Sequence, residues 1–305
     1  MIVVVCPGQG SQTPGFLAPW IEHTSRDLVD SLSASAGVDL VEHGTVSDAD
    51  TIRDTAIAQP LIVAAGLITL QSLFADGRRA KIGGIAGHSV GEITAAAGAG
   101  ILTDEEALRF VGERGRAMAD AAALTSTSMS AVVGGSDPEL LELFAAVGVE
   151  PANYNGGGQI VVAGTPDALS ALAEQAPRGV RVIPLQVAGA FHTHYMTPAV
   201  ERLAAVAATL SPADPSIPIW TNNDGSAVTS GSRFVELLVG QVSSPVRWDL
   251  DMEAFAAAGV TGLIEVAPAG ALTGLAKRGL KGVPAVAVKT PDDLPAAFEL
   301  IDQAA

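Results

Sequence analysis

The sequence predicts an α/β protein: a mostly parallel sheet covered on both faces by helices, with a smaller domain of ferredoxin-like order inserted into it. Three observations carry this prediction. Strand and helix patterns alternate along most of the 305 residues with few hairpin signals, the pattern of a parallel sheet. Hydrophobic residues make up 48% and charged residues 16%, the balance of a folded chain and not of a disordered one. From about Thr127 the rhythm changes to β-α-β-β-α-β within roughly sixty residues, the ferredoxin-like order. Residues 1–126 and 189–305 are then the larger unit, and 127–188 the insert.

Element by element, residues 2–6 read as a buried strand that runs into the loop Pro7-Gly8-Gln9-Gly10-Ser11-Gln12. Helical patterns follow near 25–36 and 60–75, the second starting at Pro60, a favoured first helical position. Residues 82–86 are a short apolar strand, and a helix runs on from Glu92 to about 99. Thr103-Asp104-Glu105-Glu106 opens a helix with a capping-box pattern that continues to about 123. In the insert, 129–133, 151–154, 160–163 and 180–184 are strands, and 137–147 and 166–175 are helices. Its hairpin connection, Asn155-Gly156-Gly157-Gly158, is glycine-rich and is expected to move or to face a ligand. Beyond it, 187–193 lead into a helix over 198–210. Strands at 217–220 and 263–266 alternate with helices at 234–242, 250–258 and 272–278.

Composition excludes several classes of function. Seventeen Lys and Arg against 33 Asp and Glu leave a net charge of −16, which disfavours a nucleic-acid partner. The single Cys6 lies in an apolar strand and reads as a small buried hydrophobe. One cysteine and five scattered histidines give no metal-ligand spacing, so no metal is expected. Residues 1–5 read as a strand and not as a signal peptide, no apolar run reads as a bilayer span, and a cytoplasmic location is expected.

The most informative residues are Gly87-His88-Ser89-Val90-Gly91, a G-x-S-x-G motif between a strand and a helix start. A serine on such a sharp turn projects its hydroxyl clear of the backbone. The glycines admit close neighbours, and the helix N-terminus offers free N–H groups to an oxyanion. Ser89-x-x-Glu92 equally matches a capping box, in which the serine only caps the helix. Gly8-Gln9-Gly10 ends the first strand, where open α/β sheets place ligands; it is a tight turn or a supply of backbone N–H groups. His192 and His194 are both candidate bases, with an activity that would rise with pH through about 6.5, and spacing does not choose between them. Arg114 has Phe110, Val111 and Met118 as helical neighbours and so projects from an apolar face; its partner is an internal carboxylate or a substrate carboxylate.

Six motifs in order give the chain a wider resemblance: Pro7-Gly8-Gln9-Gly10-Ser11-Gln12, Gly87-His88-Ser89-Val90-Gly91-Glu92, Arg114-Gly115, Ala190-Phe191-His192-Thr193, Gln241 ahead of Ser244-Pro245-Val246-Arg247-Trp248, and Glu265-Val266-Ala267-Pro268. This series resembles the malonyl-CoA:acyl carrier protein transacylases of bacterial fatty-acid synthesis, over nearly the whole chain. The same fold serves as the acyltransferase domain of polyketide synthases. The resemblance implies an α/β-hydrolase-like core and malonyl transfer through a malonyl-serine. Ser89 would be the nucleophile and His192, not His194, its base. Gln9 and Val90 would supply the oxyanion-hole N–H groups, and Gln241 would orient the histidine through its backbone carbonyl. Arg114 would bind the malonyl carboxylate, and His88 and Asn155 would line the site. It implies malonyl-CoA and acyl carrier protein as partners, no cofactor, no membrane and a monomer. One departure is Ala267-Pro268-Ala269-Gly270, where relatives often have Gly-Pro-Gly, so a slightly altered loop is expected. The alternatives are service to a polyketide carrier protein, or a serine esterase with the same elbow. Carrier proteins of this kind are acidic, so docking on so acidic a chain must use a local basic patch. Lys277, Arg278 and Lys281 are the candidates, with Arg247 nearby, and Arg178 and Arg181 are the next choice.

Overall fold

The computed structural model describes residues 1–135 and 137–303. Among them the strands, in chain order, are β1 (Ile2–Cys6), β2 (Ile82–Gly87), β3 (Ser128–Val133), β4 (Glu150–Gly156), β5 (Gln159–Gly164), β6 (Arg181–Pro184), β7 (Ile219–Trp220), β8 (Ala227–Val228), β9 (Gly262–Glu265) and β10 (Ala285–Ala287). They form two sheets. The larger has the order β10-β9-β1-β2-β7-β8 and is parallel except for the short β7–β8 pair. The Ile-Val-Val-Val-Cys run of β1 is buried throughout, which suits a central strand covered on both faces. The smaller sheet has the order β4-β5-β3-β6 and is antiparallel.

Side-chain alternation gives the smaller sheet two different faces. Val132, Ile160 and Val162 pack under the helices Asp137–Val147 and Pro166–Gln175, with Phe144 and Leu172, in a core of their own. Their neighbours Met129, Ala131, Val161 and Ala163 face the other way and join the main core. The sheet is tied down at its edge, where Tyr154 N–H donates to Val246 O at 2.8 Å and Val246 N–H to Ala152 O at 2.9 Å.

Several sequence expectations need correction. The helix expected from Pro60 begins at Thr55, where Asp54 caps it by accepting from Ala56 N–H, and Pro60 lies inside it. This helix, Thr55–Leu73, is also long and apolar enough by composition to cross a membrane, contrary to the expectation of no such run; here 78% of it is buried inside the protein. A helix that is apolar all round is a core helix when the chain itself covers it. Asn155 and Gly156 belong to β4, so the hairpin turn is confined to Gly157-Gly158, both at positive φ. The expected capping box at Thr103 and Glu106 is formed.

The turn after β2 depends on two glycines. A Cβ at Gly87 would lie 2.0 Å from the Gly91 carbonyl carbon, and one at Gly91 would lie 2.1 Å from the Cys6 carbonyl oxygen. The helix Gly91–Ala99 therefore starts in backbone contact with β1 and β2, and nothing there can yield. Gly91→Ala should lower Tm steeply or prevent folding. Gly240→Ala, in an open helical position with nothing within 4 Å, should raise stability by up to about 1 kcal/mol. Thermal melts of the two variants check this, and a neutral Gly91→Ala would mean that the turn can move.

Candidate active site

The loops that leave β1 and β2 at their C-terminal ends face the inner side of the smaller sheet across a cavity of about 350 Å³. Gln9, His88, Ser89 and Val90 line it from one side, and Met129, Asn155 and Val161 from the other. Open α/β sheets place ligands at this end of their strands.

Ser89 occupies the turn itself, at φ 54°, the left-handed region that side chains rarely adopt. Its hydroxyl does not cap the following helix, whose N-cap is Val90 and shows no side-chain cap. The capping-box alternative therefore fails. Ser89 Oγ instead lies 2.7 Å from His192 Nε2. His192 Nδ1 lies 2.9 Å from the Gln241 backbone carbonyl, which can only accept, so the ring proton sits on Nδ1 and Nε2 is bare toward the serine. His192 is also at positive φ (63°), with its N–H bonded to the Val242 carbonyl at 3.0 Å. His194 is exposed and pairs with Glu150, away from the serine, so the structure separates the two histidines.

Arg114 is 1% exposed, on the helix Asp104–Ala123. Neither alternative for its partner is met in simple form. Nη1 donates to Gln59 Oε1 at 2.7 Å and Nη2 to Gln241 Oε1 at 2.8 Å, and Nη2 also reaches Ser89 Oγ at 3.4 Å. The nearby carboxylate is Glu92, which binds the other end of the Gln241 amide through Nε2 and also accepts from Asn222 N–H at 2.7 Å. Gln241 Nε2 donates in addition to Ser89 O at 3.2 Å. The two terminal nitrogens are thus held by neutral amides, Nε is buried with no partner among the described residues, and the guanidinium faces the cavity with no carboxylate bound directly to it.

Burial governs the electrostatics. It pushes the Glu92 carboxyl up to about 7 and the Arg114 guanidinium down to about 10. It also pushes His192 down to about 3, with the Arg114 charge adding to the effect. His88 is lowered by burial too; its Nε2 donates to Asn155 Oδ1 at 2.9 Å, and Asn155 Nδ2 donates to Gln159 Oε1 at 2.9 Å. Neutral, buried His192 and half-buried Ser89 make a hydroxyl–imidazole pair beside a buried cation, an arrangement suited to base-assisted attack on an anionic acyl compound.

The remaining expected residues fall as follows. Gln9 borders the cavity, its side chain turned back toward Arg53 O and Thr55 Oγ1 at 3.4 and 3.5 Å. Among the described residues, neither Gln9 N–H nor Val90 N–H has an acceptor in the chain. Glu265 accepts from Leu272 N–H and Thr273 N–H at 2.9 and 2.8 Å and so starts the helix Ala271–Gly279 past the Ala267-Pro268-Ala269-Gly270 turn. Arg247 is held by Asp249 at 2.8 Å and lies over the Tyr154 ring, so it is not a free cation. Three buried residues escaped the sequence reading: Gln59, Asn222 and Asp251. Gln59 is the one polar side chain in the apolar run 56–68 of its helix, which is a usable signal. Asn222 and Asp251 carried none. Among the described residues, no cluster of three or more His, Cys, Asp or Glu could hold a metal ion.

Comparison with known proteins finds likeness over nearly the whole chain. The family model described as acyl transferase domain matches residues 3–291. The malonyl CoA-acyl carrier protein transacylase of Mycobacterium tuberculosis is 46% identical over 299 residues, 96% of this chain and 98% of that protein. A crystal structure of the enzyme from the same organism superposes with a TM-score of 0.94, at 46% identity, covering 97% of this chain and 99% of the other. A malonyl-transacylase solved in complex with its type II PKS acyl-carrier protein gives 0.90 at 30% identity, covering 98% and 99%.

The low value for His192 reverses an expectation drawn from an ordinary histidine. Histidine NMR should find His192 neutral and protonated on Nδ1 from pH 8 down to 5; a midpoint near 6.5 would mean that the ring is far better solvated than its burial implies. Because the folded value is depressed, the stability linked to this group is fully present above about 6.5 and is lost as pH falls toward 3.

Proposed function

We propose that this chain, which belongs to the acyl transferase domain family, transfers a malonyl group from malonyl-CoA to the phosphopantetheine thiol of an acyl carrier protein. The observation that carries the reading is a buried, amide-held Arg114 beside a Ser89–His192 pair in one cavity. The pair supports acyl transfer, and the uncancelled guanidinium supports an acyl group that ends in a carboxylate. We read the core as α/β-hydrolase-like over 1–126 and 189–305, and the insert over 127–188 as ferredoxin-like. The strand order β4-β5-β3-β6 supports the second assignment.

In the reaction, His192 Nε2 takes the Ser89 proton as Oγ attacks the thioester carbonyl. The tetrahedral oxyanion is met by the N–H groups of Gln9 and Val90. Its collapse expels coenzyme A, which takes the proton from His192. The carrier thiol then attacks the malonyl-serine ester by the same route in reverse. Protonating His192 is costly in the free site, because burial and Arg114 both oppose it. The malonyl carboxylate on Arg114 and the oxyanion beside the ring offset that cost. The base therefore gains its proton most readily with the acidic substrate in place. This reaction calls for no cofactor or metal. A fatty-acid carrier is the main reading; the relative solved with a PKS carrier protein keeps a polyketide carrier as the alternative.

Ser89→Ala should abolish malonylation, followed by intact mass after incubation with malonyl-CoA, while leaving the fold intact. A folded variant that still transfers would remove Ser89 from the mechanism. Arg114→Ala should depress malonyl transfer by roughly 2–3 kcal/mol in transition-state terms and acetyl transfer far less. Equal losses for both acyl groups would make Arg114 structural. For carrier docking, Lys277, Arg278 and Lys281 are all exposed, and Arg278 also borders the cavity. Reversing Lys277 and Lys281 to Glu should raise KM for the carrier and flatten its salt dependence, with malonylation of Ser89 unchanged. Unchanged carrier kinetics at low ionic strength would move the docking surface, with exposed Arg178 and Arg181 next in line.

A further inference from the structure

The turn that presents Ser89 is gripped from behind by groups that the reaction above does not use. A residue bearing a side chain stays in the left-handed region only where its surroundings hold it there. Asn222, fully buried beyond β7, makes the required contacts. Its Oδ1 accepts from Ser89 N–H at 2.7 Å, and its Nδ2 donates to the Gly87 carbonyl at 2.7 Å. One amide thus clamps the chain on both sides of His88.

An amide can turn over and exchange its donor and acceptor ends. Asp251, on the helix Trp248–Ala257, prevents this: its Oδ2 accepts the second Nδ2 proton of Asn222 at 2.7 Å. With two acceptors around Nδ2 and a backbone donor at Oδ1, only one orientation satisfies every atom. Asp251 is itself fully buried, its Oδ1 meets no partner among the described residues, and burial holds its carboxyl well above the usual carboxylate range. A neutral acid at this position does what an asparagine could do. Neither Asn222 nor Asp251 borders the cavity, so neither is placed to touch substrate.

We propose that Asn222, oriented by Asp251, is a positioning residue for the nucleophile: it holds the turn so that Ser89 stays left-handed with Oγ aimed at His192 Nε2. The inference rests on Ser89 being the nucleophile, as read above.

The test uses the full chain with Asn222→Ala, Asp251→Ala and Asp251→Asn. Each is measured for Tm, for the maximal rate and half-saturating concentration of Ser89 malonylation by malonyl-CoA, and for labelling by a fluorophosphonate, which needs a reactive serine but no carboxylate. Asn222→Ala and Asp251→Ala should lower the maximal malonylation rate about ten-fold or more, lower fluorophosphonate labelling in parallel, and leave half-saturation within about two-fold. Asp251→Asn, which can still accept from Asn222, should keep a rate within about three-fold of the unsubstituted protein. A folded Asn222→Ala with an unchanged maximal rate overturns the inference. If Asn222→Ala does not fold, the Asp251 pair decides: a rate kept only by Asp251→Asn supports the clamp, and equal rates overturn it. If the unsubstituted protein is labelled by neither reagent, the nucleophile reading fails and this inference with it.

Discussion

The site is organised around one buried positive charge. A guanidinium taken out of water must find partners, and the choice of partner decides what the charge can still do. Carboxylates would satisfy Arg114 fully and cancel it. Two glutamine amides, Gln59 and Gln241, hold its terminal nitrogens without cancelling the charge, and Nε is left with no partner among the described residues. The nearest carboxylate, Glu92, stands one residue further out, behind the Gln241 amide, where burial pushes its carboxyl up to about 7. The cavity thus keeps a cation able to attract an anionic group, and the same cation helps to hold His192 neutral.

Close backbone packing makes this arrangement possible. On the helix that carries Arg114, a Cβ at Gly112 would meet the Ala36 carbonyl oxygen at 2.3 Å, and one at Gly115 the Thr55 carbonyl oxygen at 2.8 Å. Gly115 lets the helix Thr55–Leu73 approach closely enough for Gln59 to reach the guanidinium, and Gly112 admits the helix Arg26–Ala36. Gly87 and Gly91 do the same at the turn, where the helix behind Ser89 starts against β1. Arg114, Gln241 and Glu92 are joined through their side chains, Glu92 accepts from the Asn222 backbone N–H, and the Asn222 side chain binds Asp251, so the five residues form one polar layer beneath the serine. In so dry a setting the Gln241 and Asn222 amides each have one orientation that satisfies their partners.

The overall charge has a separate consequence. At −16, the chain does not attract an acidic macromolecule at long range, so any such partner must be met by a local group of cations. Arg247, which the sequence placed near that group, is held by Asp249, whereas Lys277 and Arg278, at the end of the helix Ala271–Gly279, and Lys281 just past it remain exposed, with Arg278 bordering the cavity.

Local signals in the sequence were enough for the parallel-rich sheet, the separate antiparallel sheet, the capped helix from Thr103 and the strand–turn–helix around Ser89. Each rests on period, capping or a glycine at a fixed offset, all written within a few residues. Arg114 was visible as a charge on an apolar stripe, and the ordered motifs singled out His192. What the sequence left open was decided by residues far apart in the chain. Whether Ser89 capped a helix or met a base depended on His192, more than a hundred positions away, and on the Gln241 carbonyl that fixes its tautomer. The start of the Thr55–Leu73 helix was misplaced because Pro60 is a strong local sign of a helix start, and the Asp54 cap outweighed it. Asn222 and Asp251 left no local trace. A buried polar residue differs from an exposed one only in what surrounds it, and those surroundings exist only once the two sheets and their helices have packed.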